Sequence, residues 1–245
     1  MINTRAEFLE HLEELRFALI RALVAVGLGS VVSSVFAREI LLLLEHPFSR
    51  VMGSGEGLIY TRPGEAFGAV IQVVLVSGVL IALPAMLMEA WAFVAPGLTA
   101  GERRYARRAL PLAFGLFVGG VVFAYAVLPL GVNILHATGA WIHLRALWSL
   151  SACIVFLLWM CLAFGLFFQL PLVMGVLSAV GVVPAATFAR ARRYAIFIIV
   201  AAAAVITPTV DAVTMILVSV PLVLLYEAGI VIARGLERRS REAAR

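Results

Sequence analysis

The chain alternates long apolar runs with short polar segments, and this pattern predicts an all-α membrane protein. A spanning helix needs about 20 mostly apolar residues, and six runs are read as spans on this basis. They cover residues 17–36, 67–94, 110–130, 147–180, 194–206 and 212–232. The segments between them are loops at 37–66, 95–109 and 181–193, and a tail follows at 233–245. We therefore expect a single membrane domain over residues 1–245.

The spans differ in length. The fifth has 13 residues, or roughly 20 Å of helix against a hydrocarbon core of about 30 Å, and Pro221 interrupts the sixth. This short carboxy-terminal pair either thins the bilayer beside it or is shielded by neighbouring helices, and the sequence leaves both open. The fourth run exceeds 30 residues, so it must tilt, kink near Pro171 or project from the membrane.

The arginines predict the orientation. All 19 basic residues are arginines, and with a cytoplasmic amino terminus 15 of them lie on or near the inner side. The four that remain outside are Arg38, Arg50, Arg62 and Arg145. This asymmetry follows the positive-inside rule with both termini in the cytoplasm, the loop 37–66 outside, and the loops 95–109 and 181–193 inside. The formal charge of +5 is then explained by anionic headgroups of membrane lipid, and no nucleic-acid partner is expected.

Composition excludes several classes of function. Hydrophobic residues make up 63% of the chain and the mean hydropathy is +1.07, so lipid is the solvent. Without lysine there is no GxxxxGK[ST] loop and no Schiff base. Cys153 and Cys161 lie eight residues apart, about 12 Å along one helix, which is too far for a disulfide. The four histidines are scattered, and we expect no metal, no cofactor and no enzyme. The first apolar run lacks an A-x-A-like cleavage site, so we expect it to be retained.

Short motifs occur in a fixed order along nearly the whole chain, and together they resemble the TatC family, the core subunit of the twin-arginine protein translocase. Any one of them is weak, but the ordered set is specific. They are HLEELR (11–16), HPF (46–48), PGEAF (63–67), WAFVAPGL (91–98) followed by ERR (102–104), FAY (123–125), Pro129, FG (164–165), Pro171, TP (207–208), Asp211, Pro221 and LYE (225–227).

The resemblance implies a concave six-helix bundle in the bacterial cytoplasmic membrane that recognises signal peptides of folded proteins. It also implies single-span partners of the TatA and TatB type, self-association in the complex, and transport driven by the proton-motive force. By the same resemblance, Glu14 and Glu102 are the receptors for the twin-arginine motif, and Phe93, Pro96 and Arg16 shape the surface around them.

The chemistry of recognition can be argued separately. Two guanidiniums are five-donor forks, and carboxylates at the cytoplasmic interface are their natural receptors. The competing interpretation makes Glu14 an ordinary charge on a helix surface and Glu102 a local partner of the arginines at 103–108.

Two positions depart from the family pattern. Gln169 stands where the family usually has a glutamate before the proline of span four, so no titration is expected there. As a buried polar group it should face the concave side or a partner rather than lipid, with a hydrogen bond of about 1 kcal/mol. Met215 replaces an expected glutamine. Other residues assigned to partner contact or structure are Pro47, Phe123, Tyr125, Asp211 and Glu227.

Two further acids lie inside predicted spans. Glu227 is expected to snorkel or to pair with an inner-face arginine such as Arg234, and the role of Glu89 stays open. The main alternative function is a secondary transporter or channel for a small solute, because intramembrane acids often mark ion paths. That alternative predicts midplane carboxylates, or broken helices in two related halves, and the sequence shows neither.

Overall fold

The structure is a computed structural model that describes residues 2–52, 58–94, 100–141, 147–206 and 212–243. Within these ranges, side chains are described except at 2–11, 52, 91–94, 100–109, 135, 138, 140, 206 and 239–243. The described ranges hold eight helices. They are α1 (Ile2–Val35), α2 (Ala37–Met52), α3 (Glu65–Val94), α4 (Ala100–Trp141), α5 (Leu150–Phe167), α6 (Leu170–Ala179), α7 (Ala185–Ile206) and α8 (Ala212–Ala243).

Five helical segments of the described chain are long and apolar enough to cross a membrane. They are Leu12–Val35, Glu65–Ala90, Leu110–Ile134, Leu150–Ala179 and Ala212–Arg238. The fifth predicted span, at 194–206, is not among them. That run forms the second half of α7, whose first half carries Arg190, Arg192 and Arg193. The all-helical class is thus found, while the count of six spans stays a prediction.

Several segments predicted as loops contain helix. Residues Ala37–Met52 form α2, whose buried residues include Leu44 and Phe48, one helical turn apart. The predicted loop 181–193 shortens because α7 already begins at Ala185, and α8 continues through most of the predicted tail. These helices bury only one face. The polar residues on their exposed faces led to the loop prediction.

The long fourth apolar run is interrupted just before Pro171, where a kink was one of the outcomes that the sequence predicted. α5 ends at Phe167 and α6 begins at Leu170, with Pro171 in its first turn. Proline has no N–H and its ring disfavours a continuous helix, which accounts for the break in front of it. The break places Gln169 between the two helices.

Helix pairs approach at glycines. A Cβ on Gly78 of α3 would lie 2.7 Å from the backbone nitrogen of Ser30 in α1, and a Cβ on Gly29 would strike the Gly78 carbonyl oxygen. Likewise, a Cβ on Gly120 of α4 would lie 2.6 Å from the Phe164 carbonyl oxygen of α5. Lipid offers no hydrophobic drive for helix association, so backbone contact of this kind supplies the packing.

The main core surrounds α5, which packs against α4, α3 and α2, and it continues through buried residues of α8. Phe48, Ile154, Leu157, Phe164 and Leu222 are all at most 1% exposed. Large apolar side chains such as Leu28, Phe197 and Leu224 are exposed on the outer faces of the helices. Such exposure is expected where lipid surrounds the protein.

Candidate functional site

An ion pair links α1 to the carboxy-terminal part of α3. Arg21 Nε lies 2.8 Å from Glu89 Oε2, and the two side chains are 60% and 26% exposed. Because α1 and α3 run antiparallel, this contact brings the amino-terminal part of α1 level with the carboxy-terminal part of α3. Glu89, whose role the sequence left open, therefore has an ionic partner, although its Oε2 accepts no aligned hydrogen bond from it.

The pair also fixes the level of the predicted recognition residues. Glu14 lies seven residues before Arg21, about 10 Å further towards the amino terminus. Val94, the last residue of α3, lies five residues beyond Glu89, about 8 Å in the same direction. Glu14 and the end of α3 thus occupy one end of the molecule. Glu14 and Arg16 are both exposed on α1.

Other predicted recognition residues lie wholly or partly outside the described residues. Pro96 lies outside them altogether. Phe93 stands in the last turn of α3 and Glu102 in the first turn of α4, but their side chains are not among those described. Their contact with Glu14 stays a prediction.

Glu227 pairs with Arg192 rather than with Arg234. Arg192 Nε lies 2.5 Å from Glu227 Oε1, and Arg192 Nη2 donates to Oε2 at 2.7 Å. The partner is one of the arginines predicted for the inner face, but not the one named as the example. α7 and α8 are antiparallel neighbours, so Arg192 in the first half of α7 faces Glu227 near the middle of α8. The ion pair forms between neighbouring helices, whereas Arg234 lies on α8 itself.

Two further contacts join the first turns of α7 to α8. The Tyr226 hydroxyl donates to the Phe188 carbonyl oxygen at 2.8 Å. Glu237 accepts a hydrogen bond from the backbone N–H of Ala185 at 2.9 Å. This carboxylate satisfies one of the free donors at the first turn of α7.

Gln169 faces α4. Its Nε2 donates to the Ala113 carbonyl oxygen at 3.0 Å, and the residue is 6% exposed. Its Oε1 is buried without a hydrogen-bond partner. The polar group is buried against a neighbouring helix of the same chain, and a contact with a partner helix stays a prediction.

Pro47, Phe123, Tyr125 and Met215 lie in or against the core. Pro47 is fully buried in α2, and the Tyr125 hydroxyl donates to the carbonyl oxygen of Leu43 in α2 at 2.9 Å. The ring of Phe123 lies 5.3 Å from that of Phe164. Met215 is partly buried against the core from α8. Their surroundings are intramolecular. Asp211 lies outside the described residues.

Glu65 is a structural centre that sequence reasoning missed. Its Oε2 accepts hydrogen bonds from the N–H of Thr61 at 2.6 Å and of Arg62 at 3.2 Å, and from the Thr61 hydroxyl at 3.0 Å. Its Oε1 accepts from the Ser149 hydroxyl and from the N–H of Ser151 at 3.3 Å. Glu65 thus ties the segment before α3 to the start of α5. An acid in the first turn of a helix, after a glycine, was the available signal.

The backbone strengthens this junction. The N–H of Ile59 donates to the Trp148 carbonyl oxygen at 3.0 Å, and the N–H of Leu150 donates to the Ile59 carbonyl oxygen at 2.8 Å. The rings of Phe48 and Trp148 pack at a tilt of 52°, with centroids 6.5 Å apart. Across the part of the chain that the structure describes, His, Cys, Asp and Glu do not gather into a group that could hold a metal ion.

Comparisons with known proteins agree on one family. Residues 10–221 match the family model described as Sec-independent protein translocase protein (TatC). A relative from Desulforapulum autotrophicum with that description is 37% identical over 231 residues, which is 94% of this chain and 85% of the relative. A relative from Aquifex aeolicus is 35% identical and covers 95% of this chain and 97% of its own length.

Solved structures agree with the sequences. A crystal structure described as the twin-arginine translocase receptor TatC superposes with a TM-score of 0.83 at 33% identity. The match covers 92% of this chain and 99% of that one.

Proposed function

This chain belongs to the TatC family of Sec-independent protein translocase proteins, and we propose that its amino-terminal end receives the twin-arginine signal peptides of folded proteins. It is a multi-pass membrane protein of a transport family rather than an enzyme. The receptors proposed are Glu14 and Glu102, with Phe93, Pro96 and Arg16 around them.

The ion pair between Arg21 and Glu89 carries the proposal. It holds the start of α1 level with the end of α3, and α4 begins only six residues after α3 ends. Glu14 on α1 and Glu102 in the first turn of α4 therefore belong to the same end of the bundle. Two carboxylates on that end are a receptor of the right charge for paired guanidiniums.

The orientation that the proposal needs comes from the arginines. Both termini and the segment 95–109 are cytoplasmic in this arrangement, with α7 serving as a sixth, short span. The first half of α7 carries the arginines, one of which pairs with Glu227, so only the apolar second half need lie in lipid. A cytosolic leader peptide then has access to the two glutamates.

We extend the proposal to the assembly. Transport of a folded protein requires more than one chain of this size, and single-span partners of the TatA and TatB type would complete the machine, together with further copies of this chain. By resemblance to the family, the proton-motive force would supply the energy in the bacterial cytoplasmic membrane. The chain has no lysine, so it has no GxxxxGK[ST] loop of its own.

Site-specific crosslinking of a twin-arginine signal peptide tests the recognition step. Glu14→Lys and Glu102→Arg are each expected to abolish the crosslink while the protein stays folded in the membrane. Glu13→Lys is the matched control, because Glu13 is also exposed but points about 100° away around α1. Crosslinking retained in both Glu14 and Glu102 variants would refute the assignment.

Complementation separates translocase from solute transporter. Export of a folded twin-arginine substrate should be restored in cells that lack their own core subunit. Solute flux through liposomes that contain this chain alone would favour the alternative.

A further inference from the structure

A groove of about 850 Å³ opens between α3 and α5, beside the starts of both helices. The end of the groove near the starts of α3 and α5 is polar, and the rest is mostly apolar. Val205 of α7 also lines the groove. The polar end includes Thr61, Arg62, Glu65, Gln72 and Ser151, and the apolar part follows α5 through Val155, Phe156, Trp159 and Ala163.

The groove has the depth of one leaflet. Trp159 lies ten residues along the chain from Ser149, about 15 Å of helix, which is half of a hydrocarbon core of about 30 Å. The polar end therefore lies at headgroup level when the apolar part lies among acyl chains. A volume of this size is in the range of sites that hold small organic ligands.

The polar end carries two opposite charges that do not form an ion pair with each other. Arg62 is exposed, and the structure shows no ion pair between its guanidinium and Glu65. The Glu65 carboxylate accepts hydrogen bonds from uncharged groups only, so its negative charge also remains at the mouth. The site thus offers one cation and one anion, close together and with no net charge.

We propose that this groove binds one phospholipid with a phosphoethanolamine headgroup. The phosphate pairs with Arg62. The ammonium lies near Glu65 and is attracted by its charge rather than by a hydrogen bond, because five donors already occupy the carboxylate. One acyl chain follows α5 past Phe156 and Trp159. An anionic phosphatidylglycerol places its charge beside Glu65 without an ammonium to offset it, and so binds more weakly.

Native mass spectrometry of the full chain tests the proposal. The protein is exchanged into mild detergent with equal amounts of phosphatidylethanolamine and phosphatidylglycerol of identical acyl chains. We expect one saturable phosphatidylethanolamine adduct in preference to phosphatidylglycerol. Arg62→Gln should weaken that adduct about tenfold, the equivalent of one charge-assisted hydrogen bond.

Two further variants sharpen the test. Arg38→Gln is the matched control, since Arg38 is exposed on α2 and does not line the groove, and it should retain the adduct. Ala163→Phe should weaken both lipids, because the ring fills the apolar part. Arg62 is a surface residue, so its variant remains informative if Ala163→Phe fails to fold.

Equal retention of the two lipids would overturn the proposal, as would equal loss in Arg62→Gln and Arg38→Gln. A crosslink from Ala163→Cys to another membrane protein, undiminished by added phosphatidylethanolamine, would assign the groove to a helix instead. The measurement uses no signal peptide, so its outcome is independent of the recognition proposal.

Discussion

The hydroxyl of Tyr125 on α4 bonds to the one carbonyl of α2 that Pro47 leaves without its helical donor. In an α-helix the carbonyl of residue i accepts from the N–H of residue i+4, and the donor for Leu43 would be residue 47. Proline has no N–H. The Tyr125 hydroxyl takes its place at 2.9 Å, so the two residues act as one unit that joins α2 to α4.

This relationship predicts energetic coupling between positions 47 and 125. Tyr125→Phe should lower the free energy of unfolding by about 1 kcal/mol, because the Leu43 carbonyl loses its side-chain donor. In a Pro47→Ala background the restored N–H can bond Leu43, and the effect of Tyr125→Phe should shrink. A double-mutant cycle on detergent-solubilised protein measures the coupling. Additive effects would show that the hydroxyl and the proline act separately.

The contact between α1 and α3 predicts opposite outcomes for two glycines of one helix. Gly29→Ala should destabilise the protein by about 1–3 kcal/mol, because the new methyl group strikes the Gly78 backbone. Gly27→Ala should be neutral or slightly stabilising, since nothing lies within 4 Å of its Cβ position and alanine favours helix. Unfolding midpoints of the two variants decide this. Similar midpoints would exclude close packing at Gly29.

The orientation of Gln169 predicts that the glutamate usual in the family is unfavourable in this chain. Gln169→Glu replaces the donor that faces the Ala113 carbonyl by an acceptor, and should cost about 2 kcal/mol at neutral pH. Gln169→Met keeps a similar volume and also removes the buried unpaired Oε1, so it should cost less than about 1 kcal/mol. Unfolding at fixed pH measures the order. A glutamate variant as stable as the parent would contradict it.

The hydrogen bonds of Glu65 predict local loosening when its charge is removed. Glu65→Gln turns one acceptor oxygen into a donor that faces other donors. Amide exchange at Ile59 and Leu150, whose N–H groups join the two segments, should accelerate about tenfold for each 1.4 kcal/mol lost. Glu39→Gln, at an exposed position of α2, is the control and should leave both amides unchanged. Unchanged exchange in Glu65→Gln would mean that the backbone bonds suffice.

Recognition of the family from sequence rested on short motifs, and the family match confirms it. The structure shows contacts of some motif residues that the sequence did not predict. Phe48 is in the core, and Glu65 joins two segments more than 80 residues apart. The proposed peptide-binding residues stay predictions, because the side chains of Glu102, Phe93 and Pro96 lie outside those the structure describes.

The sequence by itself determined the solvent, the helical class and the approximate positions of the spans, because apolar run length is a local property that lipid reads directly. It also named Pro171 as one place where the fourth run could break. Proline alone does not decide this, because Pro47 and Pro221 lie inside continuous helices. Only the tertiary structure decided that Glu227 meets Arg192, that Glu89 meets Arg21, and that Gln169 faces α4. These pairings depend on which helices run side by side and at what level, and that is set by packing between residues far apart in the chain.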